Sequence, residues 1–364
     1  MNTLHIDLGR EWRGGQNQVV LLLRALRARG HGAELVAAGG APLSARAEAE
    51  GVRVHPVGAR LCRLGAAWQV RQLLSSRRFD VLHSHEAHGL TAGWLALAHR
   101  SLPVVTSRRV AYPLQVNPLA LARYRSVHRI ICVSEFVSRS VLASGLPPEQ
   151  LAVVYSGVEV PPLPSAETKA RTRERWQLSP GDAAVGCVGY LLPEKGQEEL
   201  LRAFAAVRAE FPHCCLLLAG DGPLRQRLEK LAAELGVKNA VRFLGFVKDV
   251  AAVYAALDVF IFPSPEEPLG TSLLAAMACG LPSVAVAGGA APEIIQHERN
   301  GLLVPRSEPA ALADAILRLL RDSPAAGLLG ALGRKTIAER FTYEHTVEGT
   351  LRVYETLRAA RARR

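Results

Sequence analysis

The chain has 364 residues, 49% apolar and 21% charged, with a formal net charge of +11. That length predicts two domains at roughly 150 residues each, and the balance excludes disordered and collagen-like classes. The charge is uneven: residues 1–165 carry 19 Arg, no Lys and 10 Asp+Glu, so almost all of the excess lies in the first half, where an acidic partner is expected.

The first eleven residues reach Arg10 and Glu11 without an apolar h-region, so no signal peptide is expected. Short apolar runs at 4–8, 33–37, 52–56, 81–84, 104–107, 130–134 and 151–155 read as strands. Helical patterns alternate with them. The helix at 16–29 has an apolar face of Val19, Val20, Leu23 and Leu26. Such β-α-β alternation predicts a parallel sheet with helices on both faces.

Two clusters in this half have chemical potential. The segment Asp80–His88 places His83, His85 and His88 where a strand leaves the sheet, with His83 and His85 on one side by alternation. Zinc is one reading, but H-x-H-E-x-x-H lacks the helical HExxH frame, so no metal is expected. The alternative is a polar loop with one satisfied histidine. Arg108, Arg109, Tyr112, Arg123, Arg125 and Arg129 form the second cluster. It reads either as a solvated face or as a platform for an anionic acceptor or membrane headgroups. Nucleic acid is not expected, because no reader motif is present.

Pro161-Pro162-Leu163-Pro164 reads as a stiff linker and sets the expected boundary at 164/165. Strands then recur at 183–189, 214–220, 241–244, 259–263, 282–287 and 301–304, and a last amphipathic helix is expected over 343–364. The long apolar run 273–292 is broken by Gly280, Pro282, Gly288 and Gly289, so it reads as helix, strand and turn rather than a membrane span. The six cysteines show no CxxC pair, and buried thiols in a reducing cytoplasm are expected.

Four strand-to-helix junctions of the second half suit a phosphorylated ligand. Val188-Gly189-Tyr190 leads to Lys195-Gly196, bringing a cation to a helix start. Gly220-Asp221-Gly222-Pro223 is a sharp turn that Pro223, as a first helical residue, also explains. Glu267 precedes Gly270-Thr271-Ser272, whose N–H groups and hydroxyls suit a diphosphate at a helix start. Gly288-Gly289 completes the set. Neither GxxxxGK[ST] nor an opening GxGxxG is present, so a P-loop and a plain dinucleotide fingerprint are not supported.

In this order the runs VGYLLPEKG, AGDGP, FLGFV, FPSPEEPLGTSLLAAMACGLPSVAVAGGAAPEII and NGLLVP, with DVLHSHEAH, IICVSEF and VVYSGVE before them, resemble the GT-B glycosyltransferases of family 4. The resemblance implies two Rossmann-like α/β domains facing a cleft: residues 1–164 on the acceptor side, 165–342 for the donor, and 343–364 returning to the first domain. It implies retaining transfer of a sugar from a nucleotide-diphospho-sugar, without a required cofactor or metal. The resemblance also implies, by position, that Lys195 neutralises the donor diphosphate, with a loop of Gly14 and Gly15 before the first helix facing it and Gly189, Gly220, Gly222, Gly270, Thr271 and Ser272 around it. Phe246 and Val247 bracket the base, and Glu267 contacts the sugar. His85 joins Glu267 and Lys195 as catalytic, and His85, His88, Arg108, Arg109 and Tyr112 are acceptor-side.

The chain departs from the family pattern at three places. Ala275 stands where the second glutamate of E-x7-E accepts ribose hydroxyls, Tyr190 where an arginine is common, and Arg108 roughly where a histidine follows the fifth strand. The expected acceptor is a bacterial surface glycan or a lipid-linked sugar in polysaccharide or lipopolysaccharide biosynthesis. The expected location is cytoplasmic, peripheral to the membrane's inner face. An inactive nucleotide-sugar-binding relative or partner subunit is the alternative.

Overall fold

The computed structural model describes residues 1–58, 62–114 and 118–363. The chain divides into two compact units, Met1–Ser156 with Tyr343–Arg364, and Gly157–Thr342. The division falls ahead of the 164/165 boundary expected from the proline run. Backbone pairing explains this: Val158 N–H donates to Phe341 C=O (2.9 Å) and Val158 bridges Thr342, so the chain joins the second unit before the prolines.

The first unit contains β1 (Asn2–Asp7), β2 (Gly32–Ala38), β3 (Arg53–Val57), β4 (Val81–Ser84), β5 (Val104–Arg108), β6 (Arg129–Cys132) and β7 (Leu151–Val153). They form one sheet in the order β3-β2-β1-β4-β5-β6-β7, and every pair in it is parallel. Pro56 lies in β3, an edge strand, where a missing N–H is tolerated. The central strands are buried on both faces, as in a sheet covered by helices. The helix Tyr343–Ala362 belongs to this unit, and its Val347, Tyr354 and Leu357 are buried in the same core as Val19, Leu23 and Leu26.

The second unit contains β8 (Ala183–Val188), β9 (Cys214–Ala219), β10 (Val241–Gly245), β11 (Val259–Phe262), β12 (Ser283–Val286) and β13 (Leu302–Val304). Their order is β10-β9-β8-β11-β12-β13, again with parallel pairs only. The order reverses between β8 and β11. Such a switch point splays neighbouring loops apart and opens a crevice at the strand C-terminal ends.

Two local expectations are corrected. Gly14 and Gly15 are not a loop but the first residues of the helix Gly14–Ala28. Arg13, in extended conformation, is its N-cap, and Gln16 Oε1 accepts from Arg13 N–H (3.2 Å), which sets the helix start two residues early. The helix after Pro223 begins at Arg225, because Gly222 and Pro223 complete a turn first. The apolar run 273–292 contains parts of the helix Thr271–Ala278 and β12, and no helix among the described residues is long and apolar enough to cross a membrane. All six cysteines are free. Burial pushes the Cys132, Cys187 and Cys214 thiols up to about 12, so they stay protonated and behave as core residues.

Candidate functional site

In the second unit the site is assembled at the switch point. The loop after β8 carries Gly189, Tyr190 and Lys195, and the loop after β11 carries Glu267 and Gly270. Lys195 Nζ donates to Glu267 Oε2, and both side chains remain partly exposed (25% and 19%). Ser264 Oγ sits 3.3 Å from the same carboxylate oxygen, and Ser264 also bonds Glu194 C=O (3.2 Å). A cation and a carboxylate are thus held side by side with solvent access.

Glycines make this geometry possible by close backbone contact. At Gly220 (φ +140°) an added Cβ would lie 1.9 Å from Gly189 O, and at Gly222 2.5 Å from Leu191 O. At Gly196 it would meet Pro263 O at 2.2 Å, and at Gly289 Glu267 O at 2.3 Å. The last contact means that the Gly288-Gly289 loop packs directly on the Glu267 backbone; Ala290 N–H also donates to Glu267 C=O (3.0 Å). Gly270 (φ +94°) caps the helix Thr271–Ala278 against the Phe262 ring, where a Cβ would sit at 2.7 Å. Thr271 and Ser272 therefore open a helix whose first turn has no acid, an arrangement that favours an anion. Phe246 is 81% exposed, with Val247 half-buried beside it, and Tyr190 is 52% exposed. Ala275 lies one turn into the same helix and brings no acceptor.

The first unit is built differently. Its strands β1 and β4 and the residue after β4 bring together three imidazoles, His5, His83 and His85, at 0%, 1% and 4% exposure, and one nitrogen from each lies within 4.8 Å of the others. Such a group could hold a metal ion, yet the set differs from the H-x-H-E-x-x-H of the sequence. His5 replaces His88, which is exposed in the first turn of the helix Ala87–Leu95. Hydrogen bonds account for the ring nitrogens. Thr3 Oγ1 donates to Gly32 C=O (3.0 Å), so it accepts from His5 Nε2 (2.9 Å). His5 Nδ1 then accepts from His85 Nε2 (2.9 Å), leaving His85 Nδ1 to accept from Arg109 Nη2 (3.5 Å). His83 bonds Tyr354 Oη through Nδ1 and Ser107 Oγ through Nε2 (2.8 Å). Burial lowers His5 to about 3 and holds His83 and His85 well below the usual histidine range, so all three are neutral.

The acceptor-side residues fall into two classes. Arg108 is 5% exposed, with its guanidinium donating to Tyr124 Oη (3.3 Å) and Tyr112 C=O and lying 4.8 Å from the Tyr112 ring. Arg109 Nη1 donates to His85 C=O (3.0 Å). Both guanidiniums face into the fold, whereas Tyr112 is 64% exposed. Gly15 lies near Arg109, with 3.7 Å between an added Cβ and Arg109 Cδ.

Two carboxylates at the end of this sheet were not singled out from the sequence. Asp7 ends β1 and accepts from Gly9 N–H (2.9 Å) and Gln16 Nε2 (3.4 Å), while burial raises its pKa against the pull of Arg109. Glu86 caps the helix Ala87–Leu95, accepting from Leu8, His88 and Gly89 N–H, and burial raises it too. A carboxylate three residues before a glycine at a helix start was the available signal for Glu86.

Comparisons agree with this architecture. Residues 12–160 match the family model described as Glycosyltransferase Family 4, and residues 182–322 match Glycosyl transferases group 1. The chain is 32% identical over 264 residues to a GDP-mannose-dependent alpha-(1-6)-phosphatidylinositol monomannoside mannosyltransferase of Mycobacterium tuberculosis, covering 69% of this chain and 68% of the relative. It is 30% identical over 312 residues to a D-inositol 3-phosphate glycosyltransferase of Streptomyces bingchenggensis, covering 78% and 68%. Among solved structures, Anabaena Alr3699/HepE in complex with UDP and glucose superposes with a TM-score of 0.87 at 22% identity, covering 98% of this chain and 100% of that one. The lipopolysaccharide outer core galactosyltransferase WaaB in its apo form gives 0.72 at 15% identity, covering 96% and 99%. These likenesses to solved structures share the GT-B fold. The chain belongs to the family 4 glycosyltransferases and is a glycosyltransferase.

Proposed function

We propose that the chain transfers a sugar from a nucleotide-diphospho-sugar to a glycan or lipid-linked acceptor, with retention of anomeric configuration, in bacterial surface polysaccharide or lipopolysaccharide biosynthesis. The observation that carries this reading is the Lys195–Glu267 pair at the switch point of the second sheet, framed by glycines that admit a ligand close to the backbone. Lys195 and the N–H groups opening the helix Thr271–Ala278 offset the diphosphate charge as it leaves, and Glu267 holds sugar hydroxyls. Phe246 and Val247 line the base. Relatives named for GDP-mannose and a structural neighbour holding UDP support a nucleotide-linked donor. The reaction takes no metal cofactor in this reading; transfer unchanged by a chelator is the expected result.

The first unit takes the acceptor, and it also meets the inner face of the cytoplasmic membrane. Leu64 and Trp68, 53% and 62% exposed on the helix Cys62–Ser76, stand beside exposed Arg63 and Arg71, a pattern suited to anionic lipid. Retention on anionic vesicles at low salt, lost at high salt, checks this. Titration with UDP-, GDP- and ADP-sugars, followed by product analysis with candidate acceptors, tests the activity itself. Ala275 and Tyr190 favour a second reading, a nucleotide-sugar-binding partner without transfer. Donor binding with neither hydrolysis nor transfer would select it.

A further inference from the structure

In the second unit, backbone contacts lock the loops around the Lys195–Glu267 pair. A Cβ on Gly196 would lie 2.2 Å from Pro263 O, and one on Gly289 would lie 2.3 Å from Glu267 O. The Glu267 carbonyl also accepts from Ala290 N–H (3.0 Å). Such contacts leave the two backbones little room to shift. What remains free to rearrange is a pair of partly exposed side chains and one hydroxyl, Ser264 Oγ.

Ser264 is 3% exposed and bonds both loops. Its oxygen lies 3.2 Å from Glu194 C=O and 3.3 Å from Glu267 Oε2. Both are acceptors, and a serine hydroxyl has a single proton to donate, so they compete for it. Lys195 Nζ donates to the same Oε2 and neutralises it. Glu267 Oε1 has no hydrogen-bond partner among the described residues. While Lys195 and Glu267 are paired, the two charges cancel before an arriving anion. A diphosphate that draws Lys195 away strips Oε2 of its cation, and a half-buried carboxylate left without a partner is costly.

We propose that Ser264 is a positioning residue that hands Glu267 from Lys195 to the donor sugar. The inference rests on the nucleotide-sugar reading above and deepens it. As Lys195 turns to the diphosphate, the Ser264 proton swings from Glu194 C=O to Glu267 Oε2. Oε2 is then held by the protein, and Oε1 accepts from a sugar hydroxyl. A nucleoside diphosphate without its sugar draws on Lys195 alone and gains nothing from Ser264. The sugar's share of the affinity depends on it.

Calorimetric titration of the full chain tests this, with UDP and UDP-glucose, GDP and GDP-mannose, and ADP and ADP-glucose as probe pairs. For the pair that the wild type binds, Ser264→Ala is expected to weaken the nucleotide-sugar about tenfold and to keep the diphosphate within about twofold, at an unchanged melting temperature. In a Glu267→Ala background the same substitution adds no further loss, because the hydroxyl acts through that carboxylate. An equal loss for diphosphate and nucleotide-sugar would make Ser264 a tie between loops and overturn the proposal. Additive losses in the double variant, or an unaltered nucleotide-sugar affinity in Ser264→Ala, would overturn it too. Failure of the wild type to bind any of the nucleotide-sugars would instead remove the underlying functional reading, and this proposal with it.

Discussion

The two units share a parallel, helix-covered sheet but build their strand-end sites from different material. The second uses backbone: Gly196, Gly220, Gly222, Gly270 and Gly289 sit where any Cβ would meet neighbouring atoms at 1.9–2.7 Å. The first uses buried side chains: Asp7, three neutral histidines, Arg108 and Arg109, with the Gly15 position loose by comparison. Backbone N–H groups suit a ligand part that does not vary, such as a diphosphate. Side chains can be exchanged without refolding the loop, which suits an acceptor that differs between relatives. On this view Arg108 is proposed to serve acceptor choice, and the glycine loops of the second unit the donor.

The largest expected effect comes from the exposed pair of the second unit. Glu267→Ala should lower kcat/KM for transfer by about 10²–10³, since it removes a polar group acting on the reacting sugar. Steady-state kinetics with the preferred donor checks this, and activity within threefold of wild type would remove Glu267 from the site.

Next come the glycines, where the contrast between units can be broken directly. Gly220→Ala forces a side chain into Gly189 O at positive φ and should cost about 3 kcal/mol or prevent folding. Gly15→Ala meets ordinary contact and should change stability by less than about 1 kcal/mol. Urea unfolding of both variants measures the difference; equal effects would erase the comparison.

The histidines give the units different acid responses. His5, His83 and His85 are neutral when folded, with pKa values below the unfolded value, so the unfolded chain binds more protons below about pH 6.5. Stability is therefore lost as pH falls from about 6.5, by up to about 1.4 kcal/mol per pH unit for each imidazole. Asp7 and Glu86, raised by burial, take protons in the folded state first and oppose this loss at lower pH. The second unit has only His213 and His297, both exposed. Hydrogen exchange between pH 7 and 5 should show first-unit amides losing protection before second-unit amides. Tyr354→Phe, which leaves buried His83 Nδ1 without its partner, should cost a further 1–3 kcal/mol or about that.

A smaller effect on function than at Glu267 is expected at Ala275. Ala275→Glu should tighten the preferred donor about tenfold by restoring a charge-assisted acceptor for ribose hydroxyls. Unchanged affinity would mean that another residue serves the ribose.

The same contrast explains what the sequence disclosed. All thirteen strands among the described residues were legible from short apolar runs, and the residues proposed for the second-unit site stood out because its glycines, Lys195 and Glu267 lie in contiguous strand-end strings. The first-unit network was not. His5, His85, Arg109 and, through His83, Tyr354 are joined by contacts between residues up to 271 positions apart, and nothing local marks them as neighbours. Alternation did place His83 and His85 on one side, but it could not supply His5 as their partner. The helix start at Gly14 was missed because the cap is Arg13, outside the usual Ser, Thr, Asp or Asn.

The central claim is that the second unit holds the donor through Lys195. Calorimetric titration of the wild type and Lys195→Ala with UDP-, GDP- and ADP-sugars tests it most directly. The account predicts that one donor binds the wild type and that its affinity falls about a hundredfold in the variant, with folding intact. Equal donor affinity in the two proteins would contradict it.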